Sequence, residues 1–224
     1  MSAGRPTLVL VPGARHRPDT FDRLRGELDA LGYATRAVKL PTTGPDPRGG
    51  LHDDAAAIRD AVEALAGPVV VMAHGYGGVP ATEGVPDGVR RLIYLAAHVP
   101  DVGESMYSLQ GLAEPASPDG LYQADGNLRA RLYTDLPELE GALAVSRLVD
   151  QLNRPFTDRV TRAAWRTVPS SYIVTERDNA MPVGLQEEMA ARASEVHYIY
   201  SGHTPFLSRP VVLATLLDII VKWD

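Results

Sequence analysis

The sequence predicts an α/β fold: a mostly parallel sheet of about six strands, helices on both faces, and a small helical insertion in the second half. Three observations carry this. Short apolar runs such as TLVLV at Thr7–Val11 and VVVMA at Val69–Ala73 lack the alternation of a half-exposed strand. Amphipathic helical stretches separate such runs, so successive strands are joined by crossovers and run parallel. A chain of 224 residues buries roughly 70% of its extended surface, enough for one well-formed core, so residues 1–224 read as one domain.

The elements follow in order. Thr7–Val11 is the first strand, ended by Pro12-Gly13. Asp19 or Thr20 can cap the next helix, in which Phe21, Leu24, Leu28 and Leu31 recur at helical spacing until Gly32. Ala34–Leu40 reads as the second strand. The loop PTTGPDPRGG then leads to a helix over Leu51–Leu65, with Asp53 and Asp54 suiting its positive end. Val69–Ala73 is the third strand and Arg91–Ala97 the fourth. From about 101 to 168 the rhythm breaks into a cap insertion, with helical stretches at Asn127–Tyr133 and Pro137–Leu152. Strands at Ser171–Thr175 and Val196–Tyr200 flank a helix at Leu185–Ala193. Pro210–Lys222 is the final helix, with proline in its first turn.

Composition narrows the function. Lys and Arg number 22 against 28 Asp and Glu, and the net charge of −6 excludes a broad nucleic-acid or anionic-membrane footprint. The chain has no cysteine, which excludes disulfides, thiolate nucleophiles and cysteine-held metals, and fits a reducing cytoplasm, the expected location. Leu8–Val11 is too short for a signal segment. Val211–Val221 is interrupted by Asp218 and falls short of the roughly 20 residues a membrane helix needs. His52-Asp53-Asp54 lacks a second histidine one turn on, so it reads as an exposed helix start and no metal is expected. The GYGG run follows the third strand, not the first, with Pro80 where a dinucleotide fingerprint wants glycine; no phosphate-loop lysine follows it. No cofactor is expected.

The turn after the third strand is the specific feature. In the pattern G-x-S-x-G, small residues let a nucleophile stand above the sheet while the next amide faces an oxyanion. Ala73-His74-Gly75-Tyr76-Gly77-Gly78 has that spacing, with Gly75 in the nucleophile slot. Three strings accompany it: LVPGARH at the first strand, TERDNAMP after the fifth and SGHTPFLSRP after the sixth. Together they resemble the small cofactor-free α/β-hydrolases related to plant methyl esterases and hydroxynitrile lyases, in their actinobacterial form, over nearly the whole chain.

The resemblance implies that Asp178 is the triad acid, His203 the base, and the amides of Ala14 and Tyr76 the oxyanion hole. It puts Arg15, His16, His74 and His98 around the substrate. Of these, His74 reads as a structural companion of the elbow, and His16 suits pocket lining and solvent exposure equally. His197 reads as packing. Three departures stand out. Gly75 replaces serine, so no acyl-enzyme can form there. Pro12 replaces the usual histidine. Arg15 and His98 make the pocket mouth more polar.

A base, its orienting acid, two oxyanion donors and a lidded cavity still suit proton abstraction beside a carbonyl. The expectation is a non-hydrolytic enzyme, with lyase, isomerase or cyclase chemistry on a small hydrophobic carbonyl compound of secondary metabolism. The alternatives are a non-catalytic ligand-binding pseudoenzyme and an esterase-like hydrolase inactivated by a serine-to-glycine change. Tyr107, Tyr122, Tyr133 and Leu148 suit a pocket roof and ordinary core equally. The expected partner is a small molecule; a homodimer is left open.

Overall fold

A computed structural model describes residues 4–115, 117–123 and 126–222. Its order is β1 (Thr7–Val11), α1 (Asp22–Ala30), β2 (Thr35–Ala37), α2 (Leu51–Glu63), β3 (Val69–His74), α3 (Gly78–Gly84) and β4 (Arg91–Leu95). Four short helices follow: α4 (Met106–Leu109), α5 (Leu128–Leu132), α6 (Glu138–Ser146) and α7 (Arg154–Thr157). The chain resumes with β5 (Ser170–Thr175), α8 (Val183–Ala190), β6 (Glu195–Ile199), α9 (Pro205–Ser208) and α10 (Pro210–Lys222).

The six strands form one sheet in the order β2-β1-β3-β4-β5-β6, and every pairing is parallel. This is an α/β-hydrolase fold. Alternate residues of each strand face opposite layers. Val9, Val11, Val71 and Ala73 join one buried cluster with Leu51, Ile58 and Val79; Leu8, Leu10, Val70 and Met72 join the other with Leu24, Leu28 and Leu217. Helices therefore cover both faces, and the strands need no polar alternation. The chain runs outward from β1 to β2, then crosses back to β3 and proceeds the other way. Loops leaving the carboxyl ends of β1 and β3 part at this reversal and open a crevice, the usual ligand position in such sheets.

Several boundaries move from the expected ones. β2 is only Thr35–Ala37, at the sheet edge. β6 begins at Glu195, which pairs with Ser171. The helix expected to reach Leu152 stops at Ser146, because the following chain pairs with the loops after β1 and β2: Val149 N donates to Arg15 O at 3.0 Å, and Gln151 bridges Thr43. Asp54 is not at an exposed helix start. Asp53 accepts from the Gly50 amide at 2.8 Å, while Asp54 is wholly buried. The segment between β4 and β5 lies over the carboxyl ends of the strands. It contacts the loops after β1, β2, β5 and β6 through Arg15, Thr42, Asn179 and Thr204. No helix among the described residues is long and apolar enough to cross a membrane.

Candidate active site

β3 ends at His74 and turns through one 3₁₀ turn, Gly75–Gly77, into α3. Gly75 sits at φ +55°, the left-handed region where a side chain is strained. A Cβ at Gly75 would stand 3.5 Å from His203 Nε2 and 3.7 Å from Gly13 Cα. Close approach explains the next two glycines: a Cβ on Gly77 would lie 2.5 Å from the Pro12 carbonyl, and one on Gly78 would collide with the His98 carbonyl. The Tyr76 amide lies in the first turn of this 3₁₀ helix, where no intrahelical acceptor exists. Ala14 follows Gly13 across the slot.

Asp178 and His203 come from the loops after β5 and β6, which are neighbours in the sheet. His203 Nδ1 donates to Asp178 Oδ2 at 2.7 Å. The same oxygen accepts from Thr175 Oγ1 at 2.8 Å, and Oδ1 accepts from the Ala180 and Met181 amides at 2.7 and 2.8 Å. Burial opposes ionisation of Asp178. The neighbouring His203 and the hydrogen bonds from His203, Met181 and Thr175 outweigh it, holding the carboxyl below its usual range. With Nδ1 engaged, His203 presents Nε2 to the space above Gly75.

Three further histidines surround His203. His74 Nε2 donates to the His203 carbonyl at 3.0 Å, and the two rings lie 4.5 Å apart. His16 Nδ1 donates to the Ala14 carbonyl at 2.8 Å, and its Nε2 accepts from Tyr133 OH at 2.9 Å. The Gln110 amide donates to His98 Nε2 at 3.0 Å, which puts the imidazole proton on Nδ1. That Nδ1 is buried and has no partner among the described residues. Burial is the largest cause of a lowered pKa at all three. His16 and His98 fall to about 4 and His74 falls well below its ordinary value, with His203 adding to each shift. All three are neutral at pH 7.

Arg15 is turned to the cap. Its amide donates to Gln151 Oε1 at 2.7 Å and its Nε to the Val149 carbonyl at 3.0 Å. His16 faces Tyr133. His98 is tied to Gly75 by its amide, 3.1 Å from the Gly75 carbonyl. Tyr122 meets Phe156 edge to face, and Phe156 meets Tyr76 likewise, at 4.5 and 4.8 Å between ring centres, so the cap aromatics close over the elbow.

One buried polar chain has no counterpart in the sequence reading. Tyr76 OH donates to Asp54 Oδ2 at 2.7 Å. Thr42 donates to the same carboxylate through Oγ1 at 2.6 Å and through its amide at 3.0 Å. Gln151 Nε2 donates to Thr42 Oγ1 at 3.4 Å, and Gln151 Oε1 receives the Arg15 amide. The chain thus begins at one proposed oxyanion residue, Tyr76, and ends beside the other, Ala14. Burial raises the Asp54 pKa to about 6, against the opposing hydrogen bonds from Thr42 and Tyr76. The available signal was Asp54 at a helix position facing inward, four residues before Ile58. Among the described residues no group of three or more His, Asp or Glu could hold a metal ion.

Comparison with known proteins agrees with this architecture. The chain is 30% identical to the alpha/beta hydrolase nvfD of Aspergillus novofumigatus, over 95% of each chain. It is 27% identical to methyl jasmonate esterase 1 of Vitis vinifera, over 96% of each. The crystal structure of the methylesterase MES16 from Arabidopsis superposes with a TM-score of 0.79 at 22% identity, covering 97% of this chain and 100% of that one. Residues 8–216 match the alpha/beta hydrolase family as a whole, and the chain belongs to that family.

Proposed function

We propose that this chain is an enzyme that uses His203 as a general base without a nucleophilic serine, acting on a small hydrophobic carbonyl compound. The observation that carries the reading is the slot itself. His203 Nε2 lies 3.5 Å from the place a side chain would begin at position 75, and glycine leaves that volume to a substrate. A C–H bond beside the carbonyl breaks, and its proton goes to Nε2. The electron pair moves onto the carbonyl oxygen, where the Ala14 and Tyr76 amides hold the enolate. Asp178 stabilises the imidazolium so formed, which returns the proton to the same or another atom. Retained, that sequence gives isomerisation; with loss or addition of a group at the neighbouring carbon, it gives lyase or cyclase chemistry.

The test is deuterium incorporation from D2O beside the carbonyl of a panel of small aryl and alkyl ketones, followed by NMR. Wild type exchanges, and His203→Ala loses about a hundred- to ten-thousand-fold in rate while circular dichroism shows the fold intact. Exchange that survives His203→Ala overturns the assignment. The esterase and hydrolase names of the relatives favour a second reading, in which His203 activates a water above Gly75. Loss of a serine nucleophile typically costs about a million-fold, so this route is a slow one. Turnover of nitrophenyl acetate by wild type, abolished in His203→Ala and without ketone exchange, would select it.

A further inference from the structure

A second cleft lies beside the site, outside the space above Gly75. It is open to solvent and runs between the first helical turns after β1 and the cap helix α6. Its inner wall is apolar: Leu136, Ala144, Leu148 and Leu207, with Leu143 on the rim at 53% exposure. Surfaces of this kind ordinarily close on one another to exclude water. Here arginine side chains span the cleft from one wall to the other. Arg23 bonds Glu140 of α6 at 2.8 Å and the Leu207 carbonyl at 3.1 Å, and Arg15 holds Val149 just beyond that helix.

The rim has its own charge pattern. Three arginines, Arg17, Arg23 and Arg147, face two carboxylates, Asp19 and Glu140. Arg17 pairs with Asp19 at 2.6 Å and Arg23 with Glu140, so both carboxylates are occupied. The Arg147 guanidinium makes no hydrogen bond or ion pair among the described residues. One positive charge is left over at the mouth of an apolar cleft. At the inner end stand His16 and Tyr133, 5% and 1% exposed, and His16 bonds the carbonyl of Ala14.

We infer that this cleft is a binding site for a monoanionic amphiphile, with its apolar body against Leu136, Leu148 and Leu207 and its single carboxylate or sulfonate on Arg147. A doubly charged ligand would meet Asp19 and Glu140, and a neutral one would leave Arg147 unused. An occupant would touch the His16–Tyr133 wall, and through His16 the loop that carries the Ala14 amide. The site is independent of the reaction proposed above Gly75.

The experiment uses the full chain and 8-anilinonaphthalene-1-sulfonate as the probe, read by fluorescence, with octanoate as competitor. Wild type binds the probe saturably and octanoate displaces it. Arg147→Glu weakens binding about tenfold or more, the scale of one charge-assisted hydrogen bond. Leu143→Asp weakens it several-fold, while Leu139→Asp, on the same helix but 85% exposed and outside the cleft, leaves it unchanged. All three positions are at the surface, and melting temperatures check that each variant is folded. Absence of saturable binding overturns the inference. So does binding that Arg147→Glu and Leu143→Asp leave within twofold of wild type, whether the probe then sits above Gly75 or elsewhere.

Discussion

Two aspartates are buried at this site and are held in opposite states. Asp178 and Asp54 both lie out of water, and burial pushes both carboxyls upward. Asp178 is nonetheless held below its usual range, whereas Asp54 rises to about 6. The difference lies in the partners. Asp178 faces an imidazole that can carry positive charge, and two main-chain amides. Asp54 faces two hydroxyls and one amide, all neutral. A hydroxyl can turn to accept from a protonated acid; an amide cannot. One carboxylate is therefore built to stay ionised beside a base, and the other to tie two loops together in either protonation state.

Asp178→Asn should have the largest effect. His203 loses the acceptor that fixes its tautomer and stabilises its charged form. Ketone exchange by the variant should fall by about a hundred- to ten-thousand-fold. A variant that exchanges as fast as wild type would mean that the base is oriented by something else. In stability the sign is set by the lowered pKa. The ionised Asp178 favours the folded state above the unfolded carboxyl value, and this is lost as pH falls through the lower folded value. The advantage of wild type over Asp178→Asn should thus shrink only below about pH 4 in acid melts.

His98 sharpens the comparison, because it too is buried but is kept neutral. Its pKa of about 4 against 6.5 when unfolded favours the folded state above pH 6.5, and this fades as pH falls towards 4. Replacing it by glutamine removes that dependence. Denaturant titrations at pH 7 and pH 4 should show wild type losing about 3 kcal/mol relative to His98→Gln. Parallel curves would show that the imidazole titrates alike in the folded and unfolded states, so that burial does not depress it.

Asp54→Asn should show the reverse slope. A raised pKa means that the folded state prefers the acid form, so the stability it contributes is present below the unfolded value and lost as pH rises through about 6. Wild type should gain about 2.5 kcal/mol over Asp54→Asn between pH 8 and pH 4, measured by the same titrations. Matching slopes for the two asparagine variants would erase the distinction drawn between the aspartates. The smallest effect belongs to the exposed Arg23–Glu140 pair: Arg23→Ala should cost no more than about 1 kcal/mol by thermal melting.

What could be read from the sequence follows the same division. The runs of β1 and β3 are legible because both faces are covered, so no polar residue interrupts them. Asp178 and His203 stand in strings at the ends of adjacent strands, and local text is enough to locate them. Asp54 was misread because its surroundings are not local: Thr42 lies 12 residues away, Tyr76 22, and Gln151 joins from the cap. The cap helix ends at Ser146 rather than Leu152 for a related reason. Residues 147–152 continue a helical pattern, but the backbone groups of Arg15 and Thr43 compete for them as extended chain. The bonds of Arg15 to Val149 and Gln151 are equally illegible, because nothing in its sequence neighbourhood reveals them.

The polar chain from Tyr76 to Arg15 also bears on when the site comes into being during folding. Its links join residues 76 and 54, 42 and 54, 42 and 151, and 15 and 151, the last separated by 136 positions. His203 is joined to His74 across 129 more. Contacts of such sequence separation form after the costly closure of long loops, behind the local helices and the first strand pairings. On the ribosome, β1 to β4 can pair long before residue 151 is made, and the elbow then waits without the strap that fixes its tyrosine. The active site should be among the last parts of this molecule to become rigid, arriving only when the cap has folded back over the sheet and the loop bearing His203 has followed it.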